Sequence, residues 1–162
     1  MTMVEISLIC VGKNKEKYFQ EAAAEYIKRL SGSCRVSVIE VPEHRLPAAP
    51  SEKEIEFALS DEANRIKSFL KKDQYIISLC IEGKRFDSSA FAEELKSVFL
   101  SGRSRLAFII GGSYGLSDLI KNCSDLRLSM SDMTLPHHLA RVVLLEQIYR
   151  AFTIIEGTKY NK

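Results

Sequence analysis

The sequence predicts an α/β protein: a mostly parallel sheet flanked by helices on both faces. Two observations carry this. Short apolar or β-branched runs alternate with helical patterns along the whole chain, without repeats or low-complexity stretches. The size and make-up, 162 residues with 46% hydrophobic and 27% charged, are those of one globular domain spanning 1–162. A chain of this length buries roughly 70% of its unfolded surface and needs no disulfides to do so.

The elements follow in order. Residues 4–11 form a short apolar strand ending at Gly12. Residues 15–30 place Phe19, Ala22, Tyr26, Ile27 and Leu30 on one helical face, and Ser31-Gly32 stops that helix. The β-branched run 35–41 is a second strand. Residues 42–50 carry three prolines and are expected to be a flexible loop. Ser51 with Glu54 is a capping box, opening a helix that carries Ile55, Leu59, Ile66, Phe69 and Leu70. Residues 75–81 are a third strand and 82–86 a turn. Residues 88–100 are a helix with Phe91, Leu95, Val98 and Phe99 inward; 105–110 a fourth strand; 116–122 a short helix; and 125–129 a fifth strand. The last helix, 137–155, is expected to bury Leu139, Val142, Val143, Tyr149 and Phe152, and a polar tail follows.

Charge and composition narrow the function only a little. Net charge is +2, so any nucleic-acid surface must be a local patch. Lys13, Lys15, Lys17, Lys28 and Arg29 make the first helix locally basic, but Glu16, Glu21 and Glu25 lie among them, so a solvated face is the simpler reading. Cys10, Cys34, Cys80 and Cys123 form no metal spacing and read as buried reduced thiols. No run approaches the ~20 apolar residues of a membrane span, and no signal-peptide pattern opens the chain, so the cytoplasm is the expected location. No P-loop, nucleophile elbow or zinc signature occurs.

In open parallel sheets ligands sit beyond the carboxyl ends of the strands. Residues 82–83, 111–115 and 130–136 all follow strands. Gly111-Gly112 suits a flat ligand lying on main chain, and suits equally a tight strand–helix turn. Residues 130–136 offer Ser131 and Thr134 as hydrogen-bonding groups and Met130, Met133 and Leu135 as apolar walls, with Pro136 fixing the helix start. The alternative there is a capping loop with surface histidines. On the last helix Arg141 and Arg150 are candidate phosphate contacts, and Glu146 can pair with Arg150 at i,i+4. A wide apolar stripe on the same helix could also serve a partner helix in a dimer.

Taken together and in order, these segments resemble the RlmH family of SPOUT-class methyltransferases. The resemblance spans the chain. Leu79-Cys-Ile-Glu-Gly-Lys84 and Phe108-Ile-Ile-Gly-Gly-Ser-Tyr-Gly-Leu116 contribute to it, and it is most specific in Leu128–His137 and Arg141–Phe152. It implies an α/β fold with a C-terminal trefoil knot, a homodimer, and S-adenosyl-L-methionine as cofactor. It implies methylation of N3 of a pseudouridine in 23S rRNA (position 1915 in the family) on the assembled 70S ribosome, with no metal and no membrane. Carried over, cofactor contacts would be Leu79, Gly111, Met130, Ser131, Asp132, Met133, Thr134 and Leu135. Tyr160, His137 and Asn161 would act at the reacting base, and Arg141, Arg150, Lys159 and Lys162 would hold RNA. The tail departs from the family pattern of Pro-Tyr-His and a basic residue: it reads Lys159-Tyr160-Asn161-Lys162, and asparagine takes up no proton near neutral pH. A ribosome-binding protein with impaired chemistry is therefore the competing expectation. A flavodoxin-like domain with an open, unknotted sheet is a third.

Overall fold

The computed structural model describes residues 2–160; the expected site residues Asn161 and Lys162 lie outside the described residues. Its framework is set by strand alternation. Along β1 (Val4–Val11), Ile6, Leu8 and Cys10 face one side while Ile9 and Val11 face the other, and all five are buried. Two-sided burial requires helices on both faces, and the chain provides them.

The order is α1 (Lys17–Leu30), β2 (Cys34–Val41), α2 (Glu52–Lys67), β3 (Tyr75–Arg85), α3 (Ser88–Leu100), β4 (Arg105–Ile110), α4 (Asp118–Cys123), β5 (Leu126–Ser129) and α5 (His137–Glu156). All pairings are parallel, in the spatial order β2-β1-β4-β3-β5. Helices α1, α3 and α5 cover one face around Phe108, Leu95 and Leu144; α2 and α4 cover the other around Ile109, Ile66 and Ile120.

Local chemistry accounts for the element ends. The Ser51–Glu54 capping box forms in both directions, as its spacing predicts. Ala140 N–H donates to the Pro136 carbonyl at 2.9 Å, so proline opens α5 where its missing donor costs nothing. Gly157, at φ +72°, closes it.

Four expectations need correction. The turn at 82–86 is mostly strand. β3 runs on to Arg85, and after a register shift Lys84 and Arg85 pair with Leu128 and Ser129. Gly83 permits this, because a Cβ there would stand 2.7 Å from the Arg127 carbonyl carbon. The 42–50 loop is tied down. The His44 N–H donates to Glu62, the His44 ring bonds Asp61 at 2.8 Å, and Arg65 bonds the Pro42 carbonyl. The inward face of α5 is Ala140, Arg141, Leu144, Leu145, Ile148, Ala151 and Phe152. Leu139, Val142, Val143 and Tyr149 are only partly covered, because the helix is apolar nearly all round and periodicity could not choose its face. Of the cysteines, Cys10 and Cys34 are buried, Cys80 is half-buried and Cys123 is exposed at the end of α4.

Candidate active site

A cavity of about 450 Å³ opens beyond the carboxyl ends of β4 and β5 and beside β3 where its register shifts. That volume is within the range of small-molecule sites. Its walls are mainly apolar, from Leu79 and Ile81 of β3, Ile110 of β4, Leu128 of β5 and Met130, Met133 and Leu135 of the loop beyond. Polar groups come from Ser113, Ser129, Ser131, Thr134 and His137.

The loop after β4 owes its shape to glycine, for a reason the sequence did not reveal. A Cβ on Gly111 would lie 2.3 Å from the Gly115 carbonyl oxygen. The loop folds back on itself, with Gly115 N–H donating to the Gly112 carbonyl at 3.0 Å. Gly111 thus makes room first for its own loop, and the folded loop then forms the cavity wall. Gly112 makes room for Glu43, whose carboxylate would be 2.7 Å from an added Cβ and which accepts from the Ser113 N–H at 3.4 Å. The loop after β5 is braced by its serines. The Met133 N–H donates to Ser131 Oγ at 3.0 Å, and Ser129 Oγ donates to the Ser131 carbonyl at 3.3 Å.

The structure brings Leu79, Gly111, Met130, Ser131, Met133, Thr134, Leu135 and His137 around this one cavity. Asp132 is turned away: its carboxylate pairs with Arg85 on the surface. An ionic partner on solvent-facing β3 outcompetes an apolar cavity for that charge. The two histidines are half-buried, not surface groups, and their rings lie 4.1 Å apart. Burial, followed by His137 and Arg141, pushes His138 below the usual histidine range.

Arg141, expected on the RNA, points inward at 4% exposure. Its guanidinium donates to Glu40 at 3.0 Å and to the Gly12 carbonyl at 3.4 Å. A charge buried this deeply is committed to its partners. Burial works to raise the Glu40 carboxyl, but the Asn14 N–H and then Arg141 outweigh it and hold it below the usual range. Arg150 makes the anticipated i,i+4 pair with Glu146.

Tyr160 and His137 do not meet within one chain. The tail turns back after Gly157, and the Tyr160 hydroxyl donates to Glu146 at 3.2 Å, with its ring against Tyr149 and under Arg150. Glu146 is nine residues along α5 from His137, about 14 Å at the helical rise. Burial, followed by the Glu146 carboxylate, pushes the Tyr160 phenol up, so it is a donor there at neutral pH. Lys159 is exposed beside it.

Sequence reasoning missed Glu43, because a proline-rich loop gave no sign of its docking. It missed Ile81 because residues 82–86 read as a turn. Among the described residues no helix is long and apolar enough to cross a membrane.

A family model described as "Predicted SPOUT methyltransferase" matches residues 4–161. Ribosomal RNA large subunit methyltransferase H of Bacillus cytotoxicus is 48% identical over 159 residues, 98% of this chain and 100% of that protein. The proteins of that name from Leuconostoc mesenteroides and Levilactobacillus brevis are 46% and 43% identical over the same shares. A solved structure of a "probable methylase family protein" from Haemophilus influenzae Rd KW20 overlays with a TM-score of 0.52 at 16% identity, covering 98% of this chain and 70% of that one. That last likeness concerns the fold alone.

Proposed function

The chain belongs to the SPOUT methyltransferase family, among the ribosomal RNA large subunit methyltransferase H proteins, and from that premise we propose that it methylates N3 of a pseudouridine in 23S rRNA of the assembled ribosome. The observation that carries this is the cavity: the glycine-built loop after β4 and the apolar, serine-braced loop after β5 line one space of cofactor size.

The residues present fit S-adenosyl-L-methionine. Leu79, Ile110 and Leu128 offer apolar surface for an adenine ring, and Ser131 and Thr134 offer hydroxyls for the ribose and main chain. Leu79, Gly111, Met130, Ser131, Met133, Thr134 and Leu135 would hold it; Asp132 is left out because it serves Arg85. When bound, the cofactor supplies an activated methyl group. The protein must align the acceptor nitrogen, exclude water and receive the N3 proton. Alignment is worth up to about 7–11 kcal/mol of barrier. A general base adds roughly 10²–10⁴-fold.

Of the candidate bases among the described residues, His137 lines this cavity and Tyr160 does not. Tyr160 is engaged with Glu146, so its contribution comes from positioning RNA or from a second chain in the homodimer that the family resemblance implies. The resemblance also implies the C-terminal knot, at the segment where α5 leaves the β5 edge to pack between α1 and α3.

The test is methyl transfer from labelled S-adenosyl-L-methionine to 70S ribosomes lacking the modification, with the modified base mapped by mass spectrometry. Transfer to the pseudouridine supports the reading. Absence of cofactor binding by calorimetry would sink it. Cofactor binding without transfer, restored by Asn161→His, would favour the impaired ribosome-binding protein.

A further inference from the structure

The arginines expected to hold RNA are engaged by other side chains, buried Arg141 with Glu40 and half-buried Arg150 with Glu146, which leaves open where the RNA backbone is gripped near the cavity. The segment joining β1 to α1 answers this.

We propose that residues 12–18 form the phosphate-gripping edge of the RNA site, with Lys13 and Lys15 as its contacts; this rests on the RNA methyltransferase reading. The segment leaves β1 at Gly12, whose backbone (φ +92°) lies against the catalytic end of the cavity: a Cβ there would be 3.6 Å from His137 Nε2. It is held rigidly from within. Asn14 is 5% exposed; its N–H donates to Glu40 at 2.7 Å and its carbonyl accepts from Gln20 at 2.6 Å. Arg141 binds the same Glu40 and the Gly12 carbonyl. With Asn14 turned in, Lys13 and Lys15 on either side are exposed. Among the described residues no ion pair engages either one. Lys13 acts on Glu40 only through space, whereas Lys17 is drawn to Glu21.

The local field supports an anion. The Glu16 carboxylate stands at the N-cap of α1 but makes no capping bond, and the first turn beyond it carries no acidic side chain, so the open N–H groups of the helix remain beside the lysines. Cations placed there repel the helix dipole, an arrangement that an arriving phosphate relieves. Tyr18, 62% exposed and packed on Phe19 at 4.6 Å, offers a face on which an unstacked base can lie. The Glu43 carboxylate lies against Gly12, 3.7 Å from where a Cβ would stand, and accepts from the Ser113 N–H, so the phosphate track begins on the Lys13 side of Gly12, away from that charge. A pinned main chain with outward lysines spends little ordering entropy on binding.

The test compares the parent with the double variant Lys13→Ala/Lys15→Ala and the control pair Lys71→Ala/Lys72→Ala, which lies on the loop before β3 at the opposite end of the sheet. Ribosome KM, ribosome binding by co-sedimentation and cofactor affinity are measured across a salt series. The first pair should raise KM and weaken binding roughly tenfold, and should lower the log–log salt slope by about 1.4–1.8. Cofactor affinity and thermal unfolding should match the parent, the control pair should change nothing, and Lys13→Arg/Lys15→Arg should restore binding. An unchanged slope, or an equal loss in the control pair, overturns the proposal. If the parent binds ribosomes but transfers no methyl group, the methyltransferase reading fails by itself, and the binding arm still reads the two lysines.

Discussion

At the scale of single residues, the Arg141–Glu40 pair shows how a charged side chain can look like a ligand contact and be part of the frame. It joins α5, β2 and the turn after β1 in one buried junction. Arg141→Met should cost roughly 3 kcal/mol in chemical denaturation, the low end for a broken buried pair because Glu40 keeps about a third of its surface. Glu40 has its carboxyl depressed in the folded state, so its contribution is present above the ordinary value of 4.5 and is lost as pH falls below it. Glu40→Gln should therefore flatten the acid side of the stability–pH curve; an unaltered curve would remove Glu40 as its source. Gly111→Ala should abolish cofactor binding measured by calorimetry, since its Cβ would collide with Gly115 and the loop must open. The thiols divide similarly by burial, which pushes Cys10 up to about 11 and Cys34 to about 12. In the native protein a thiol reagent should modify Cys123 first and reach those two only on unfolding.

At the scale of elements, much was legible because it depends on neighbours in sequence. The Ser51–Glu54 box and the proline before α5 act over three or four residues, and each does in three dimensions what its spacing says. Ser51→Ala should cost about 1 kcal/mol in urea unfolding without affecting cofactor binding. β3 and α5 were read less well. The far half of β3 is a strand only because β5 meets it a second time across Gly83, a contact 45 residues away in the chain (Gly83 to Leu128). α5 has apolar residues on most sides, and which of them are buried is decided by α1 and α3 closing over it.

For the molecule as a whole, the tail is separable from the core. Its bonds run to the second half of α5, from the Thr158 N–H to the carbonyl of buried Thr153 and from the Tyr160 hydroxyl to half-buried Glu146. Deleting residues 156–162 should leave a cooperatively folded protein, by thermal unfolding, with turnover on ribosomes lost. Loss of folding would make the tail structural. Because Tyr160 is bonded to Glu146, about 14 Å along α5 from His137, turnover that persists in a monomer would show that no second chain is needed at the site.

The sequence by itself determined the alternation of strands and helices, the parallel sheet, most of the places where an element stops (the end of β3 excepted) and the strand ends at which a ligand must lie. These follow from periodicity, capping and turn chemistry, which act over a few residues. Tertiary structure decided which polar groups reach the cavity. It sent Asp132 out to Arg85, drew Arg141 in to Glu40, folded Glu43 onto Gly112 and held Tyr160 away from His137. Each of those outcomes depends on a partner distant in sequence, and a charge settles with whichever partner the fold brings within reach at the lowest desolvation cost.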